Sequence, residues 1–96
     1  MKEVVFDYQE FCRKLDRAKP VHHAGHIQSV RGVPFLYKVA FRVYGVSKDG
    51  HIIVFEDIQR VDGVGQELNE KVKALYSQLA EKYAKPLGST EGRWEG

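Results

Sequence analysis

Three histidines within five residues, His22, His23 and His26, are the densest set of metal-ligating side chains in the sequence. Imidazole at such spacing suits zinc or nickel, which take nitrogen ligands readily. A complete site also needs a fourth ligand or an open water position, with carboxylates behind the rings, and neither an HExxH motif nor a cysteine pair accompanies the set. These three are the metal candidates of the chain. The preferred reading is a surface cluster that helps to hold an anion when protonated, and no metal or cofactor is expected.

Other chemistries find fewer parts. Glu56 and Asp57 are adjacent, so on a strand they point to opposite faces and cannot serve one substrate as acid and base. Ser47, Ser77 and Ser89 lack a flanking GxSxG. Gly63-Val64-Gly65 precedes a helical segment, where a phosphate-binding turn would sit, but it has neither the full GxGxxG nor a P-loop lysine, and Asp62 and Glu67 would repel an anion. Cys12 is the only cysteine and falls on an apolar stripe, which makes it a small core residue rather than a nucleophile. No catalytic constellation emerges, and the chain is expected to be non-enzymatic.

The elements that would position these residues are organised around residues 35–60. Phe35, Tyr37, Val39, Phe41 and Val43 alternate with Leu36, Lys38, Ala40, Arg42, Tyr44 and Val46, the period of a strand, and the first set is the expected core face. Lys48-Asp49-Gly50 then makes a turn. A three-residue loop with Gly50 in a left-handed bulge pairs Arg42 with Glu56, whereas a two-residue Asp49-Gly50 turn pairs Arg42 with Asp57. The three-residue loop is preferred, because it keeps Ile53 and Phe55 on the face of Phe41 and Val43 and sets Arg42 against a carboxylate on the other face.

Asp7 has the signature of a helix N-cap, with Glu10 at the third helical position and Phe6 and Phe11 placed as a hydrophobic staple. The helix is expected from Tyr8 to between Arg17 and Lys19, since Pro20 bars its predecessor. Val21–Gly25 reads as a connector, His26–Arg31 as an edge strand and Gly32-Val33-Pro34 as a turn. Leu68, Val72, Leu75, Tyr76, Leu79 and Tyr83 form the stripe of a second helix that ends before Pro86.

The predicted fold class is therefore α+β: two layers, a three-stranded antiparallel meander with both helices on one face, in the order α-β-β-β-α. Residues 1–85 make a single domain and 86–96 a flexible tail, in which Trp94 is a candidate for docking into a groove. The order is similar to that of double-stranded RNA-binding domains over roughly residues 7–83. That family grips phosphate with lysines at the start of its second helix, where this chain has Gly65, Gln66, Glu67, Leu68, Asn69 and Glu70. The same order also occurs in modules that dimerise or bind RNA through an open sheet.

Ninety-six residues suffice for one core, and 43% hydrophobic with 29% charged residues is a globular rather than a disordered composition. One cysteine excludes an intrachain disulfide and suits a reducing, cytoplasmic setting. Asp7 interrupts any leader, and no apolar run nears the roughly 20 residues of a membrane span, so no membrane partner is expected. Residues 1–48 carry nine Lys/Arg against four Asp/Glu, while residues 49–96 carry six against nine. A basic half invites a nucleic-acid reading.

Two function classes follow from the second face of the hairpin. Leu36, Ala40, Tyr44, Val46, Ile52, Val54 and Ile58 make it too apolar to leave bare, which predicts a homodimer or a protein-partner interface. The alternative is RNA binding, with Lys38, Arg42 and Arg60 gripping phosphate and Tyr44 stacking a base.

Overall fold

The computed structural model describes residues 4–91. In chain order the elements are β1 (Val4–Phe6), α1 (Tyr8–Lys14), β2 (His22–Ser29), β3 (Leu36–Val46), β4 (Ile52–Asp62), α2 (Gly65–Leu79) and β5 (Thr90–Glu91). A π-helical turn (Ala80–Ala84) and a 3-10 turn (Lys85–Leu87) link α2 to β5. The fold is α+β, a mixed sheet in the order β1-β4-β3-β2-β5 with both α-helices on one face.

The hairpin of β3 and β4 takes the three-residue loop. Ser47 N donates to His51 O at 2.8 Å, Gly50 N donates to Ser47 O at 2.9 Å, and Gly50 has the positive φ of 88° that a left-handed bulge requires. Arg42 pairs with Glu56 and Val43 with Phe55. Ser47 Oγ bonds the Asp49 carboxylate, which holds that carboxyl below its usual range.

The expected meander is present, but its sheet is larger and mixed. β1 adds to β4 in parallel at Ile53–Phe55, and β5 adds to β2 in parallel at His22 and His23. β1 lies ahead of the expected first helix, and β5 lies within the residues expected to form a flexible tail. Residues 85–91, expected to lie mostly in a flexible tail, instead carry a turn that packs Leu87 against the core and then β5. Trp94 lies outside the described residues.

Three boundaries differ for local reasons. Asp7 caps α1 as expected, accepting from Glu10 N at 2.9 Å, but the helix ends at Lys14 because the following backbone pairs with the sheet. Leu15 bridges Ser47, and Asp16 N donates to Val46 O at 2.8 Å. β2 begins at His22, four residues before the expected start, so the supposed connector is strand. Phe35 was placed on the core face, yet its φ of 61° turns it out of the strand alternation and leaves it exposed.

Phe11 and Leu15 of α1, Leu79 of α2, Ala84 of the π-turn and Phe41, Val43, Ile53 and Phe55 of the sheet form the core. Fully burying an aromatic such as Phe11 or Phe41 is worth roughly 2–3 kcal/mol each. Cys12 packs against this cluster. Among the described residues no helix is long and apolar enough to cross a membrane.

Candidate functional site

Strand parity and register determine which side chains share the face opposite the helices. Across β1-β4-β3-β2-β5, one row reads Val5, Val54, Tyr44, His22, Thr90. Beside it lie Ile52 with Val46, Glu56 with Arg42 and Ala24, Ile58 with Ala40 and His26, Arg60 with Lys38 and Gln28, and Asp62 with Leu36. All seven expected interface residues fall on this face, as do Lys38, Arg42, Tyr44 and Arg60.

The accessible part of the face is narrower than that set. Val54 is 0% and Ala40 8% exposed, each already enclosed by neighbouring side chains on the sheet. Ile52, at 38%, Ile58, at 46%, and Val5, at 59%, offer the accessible aliphatic surface, with Leu36, Tyr44 and Val46 half-buried between them. Val5 was not in the sequence reading. Its membership depends on the pairing of β1 with β4, which alternation inside the hairpin could not reveal.

One ion pair crosses the middle of this surface. Arg42 Nε donates to Glu56 Oε2 at 2.5 Å, and Tyr44, followed by Glu56, pushes the guanidinium's pKa upward. Lys38 and Arg60, by contrast, are direct cross-strand neighbours of like charge, and neither forms an ion pair with a described residue. The face thus divides into an aliphatic end near Ile52 and a basic end near Arg60.

The three histidines do not converge. Strand alternation sends His22 and His26 to the open face, while His23 is buried on the helix side, 5.7 Å by ring centroid from Phe41 and 6.0 Å from Tyr76. Among the described residues no group of three His, Cys, Asp or Glu side chains is arranged to hold a metal ion. Glu56 and Asp57 are separated by the same parity, since Asp57 is opposite Phe41 and Glu56 opposite Arg42.

His23 has a partner that sequence reading missed. Its Nδ1 lies 2.7 Å from Ser89 Oγ, and both line a groove of about 730 Å³ between β2 and α2, with Ile27, Val72, Tyr76 and Ala80. A serine beside an imidazole is the beginning of a nucleophile and its base. Acyl transfer would also need free donors for an oxyanion, and those nearest are engaged: Gly88 N donates to Lys85 O, Ser89 N to Ala84 O and Thr90 N to Val21 O. The contact therefore anchors the chain after the 3-10 turn to β2. A second concavity of about 440 Å³ lies between β1, α1 and the Ser47–His51 turn.

No protein-family model, curated protein or solved structure matches the chain.

Proposed function

We propose that the protein is a non-enzymatic interaction module that self-associates as a homodimer through the open face of its sheet. One observation carries this reading: Val5, Ile52 and Ile58, with the half-buried Leu36, Tyr44 and Val46, lie on a face that no described helix covers. Exposed aliphatic side chains gathered on one uncovered face, on both sides of a matched ion pair, fit an interface. Strands of 3, 11, 11, 8 and 2 residues, at about 3.3 Å per residue and about 4.8 Å apart, give a face of roughly 550 Å², which sets the interface at the small end of the range, below the ~800 Å² per partner of a standard one.

The charges on the face are compatible with burial at its centre. Arg42 and Glu56 are matched within one protomer, so covering them leaves neither alone, which is the costly state. Cys12, packed against the core as a free thiol, suits a reducing compartment. The test is sedimentation of the protein at roughly 50 µM, well above a micromolar dissociation constant for an interface of this size. A dimer is expected, with Ile58→Glu weakening it by about 10- to 100-fold, that is ~1.4–2.7 kcal/mol.

A second reading has its own support. Lys38 directly opposite Arg60 is a like-charge pair that costs stability in a sheet, and a bound phosphate would relieve it. Tyr44 on the same face could stack an unpaired base, which makes single-stranded RNA the fitting ligand. Retention of mixed single-stranded RNA at low salt, steeply weaker as salt rises and lost in a Lys38→Glu/Arg60→Glu variant, is the expected result. Absence of retention at low salt removes this reading and leaves self-association.

A further inference from the structure

The open sheet face accounts for the exposure of Val5, Ile52 and Ile58, but three other large apolar side chains lie off it: Val33 at 46%, Phe35 at 63% and Val64 at 55%. They come from two connections at one end of the sheet. Residues 31–35 form the loop between β2 and β3, closed where Val30 N donates to Leu36 O at 2.9 Å, and Gly63-Val64 joins β4 to α2. Gly63 N donates to Phe35 O at 3.0 Å, which ties the two connections together.

The eleven-residue strands of the hairpin are about 36 Å long, and in a molecule of 43 × 24 × 21 Å only the long axis accommodates them. The two connections therefore form one end of that axis, and the polar Ser47-Lys48-Asp49-Gly50 turn lies at the other. Phe35 is the one non-glycine of positive φ among the described residues, at 61°, a strained conformation for a bulky side chain. The strain brings no burial in return, since it leaves the ring in solvent. Strain held at an exposed aromatic points to a contact made outside the chain.

Charge is layered behind this end. Arg31 is exposed in the loop itself, while Lys38 and Arg60 face each other two residues, roughly 7 Å, behind Leu36 and Asp62. None of the three cations forms an ion pair with a described residue. The acids nearby belong to the α2 side: Asp62 and Glu67 are both held by Lys71, at 3.2 and 3.4 Å, and Glu70 is exposed on the helix. We propose that this end of the molecule docks on an anionic lipid surface. Val33, Phe35 and Val64 enter the boundary between headgroups and acyl chains, and Arg31, Lys38 and Arg60 stand at the level of the phosphates. Interfacial groups sink about 5–10 Å into that boundary, which matches the spacing between the apolar end and the cations behind it. A bilayer offers an apolar layer beneath an anionic one to any convex tip, whereas a protein would need a preformed pocket with the same layering. Docking of this kind requires no membrane-spanning segment.

The test is co-sedimentation of the full chain at low salt with vesicles of phosphatidylcholine alone and of phosphatidylcholine with about one-third phosphatidylserine. Binding to the anionic vesicles is expected to exceed binding to the neutral ones by about tenfold. Glycine takes a positive φ without strain, so Phe35→Gly is expected to keep or raise the urea midpoint while weakening vesicle binding about tenfold. Arg31→Glu should weaken binding to the anionic vesicles by about fivefold or more. No association with anionic vesicles overturns the proposal. Association that Phe35→Gly leaves unchanged also overturns it, because charge alone then accounts for the adsorption. If single-stranded RNA is retained through Phe35 while vesicles are not bound, this end belongs to nucleic acid and the proposal fails.

Discussion

Two residues show how closely the helix layer is fitted to the sheet. Gly45 in β3 lies under α1, where an added Cβ would collide with Leu15 Cδ1 and come within 3.3 Å of Phe11 Cζ. Both partners are fully buried core residues with no room to move aside, so Gly45→Ala is expected to destabilise by about 1–3 kcal/mol through overpacking, read as a lower urea midpoint. Tyr8 donates to Tyr83 O at 3.0 Å from a position packed against the core, and burial, reinforced by the Cys12 thiol, pushes its hydroxyl up to about 12. The fold thus favours the neutral phenol. Its contribution is fully present below the ordinary tyrosine value of about 10 and is lost as pH rises towards 12. Thermal melts across that window should show a decline in the native chain that is smaller in Tyr8→Phe.

At the level of elements, the hairpin turn is the most exacting local requirement. Gly50 at φ 88° makes the chain reversal that sets Arg42 opposite Glu56, and Gly50→Ala is expected to cost about 1 kcal/mol with the register retained. An amide spectrum in which cross-strand contacts shift by one residue would show instead that the turn alone held the register. This hairpin was legible because its evidence is local: an eleven-residue alternation and a turn whose two options place different residues on the core face. β1 and β5 were not legible, being three and two residues long and stabilised only by strands far away in sequence. The same limit governs the candidate sites. Parity alone assembled the open face from Leu36 to Ile58, whereas Val5 joins it through β1, and the His23–Ser89 contact spans 66 residues without any pattern to announce it. The histidines misled because a strand was read as a connector, and on a strand neighbours at 22 and 23 separate to opposite faces.

For the whole molecule, one sheet face is committed to the core and the other is left with aliphatic side chains, a matched ion pair and a basic end. Dimerisation would bury Ile52, Ile58 and Val5 around Arg42 and Glu56, while nucleic-acid binding would engage Lys38 and Arg60 and leave the aliphatic end bare. The two readings therefore differ in what happens without any ligand. Sedimentation equilibrium of the purified protein, with Ile58→Glu run beside it, separates them most directly. The account predicts a dimer at roughly 50 µM that the substitution shifts towards a folded monomer, in keeping with a 10- to 100-fold weaker association. A native chain that sediments as a monomer throughout that range would contradict it.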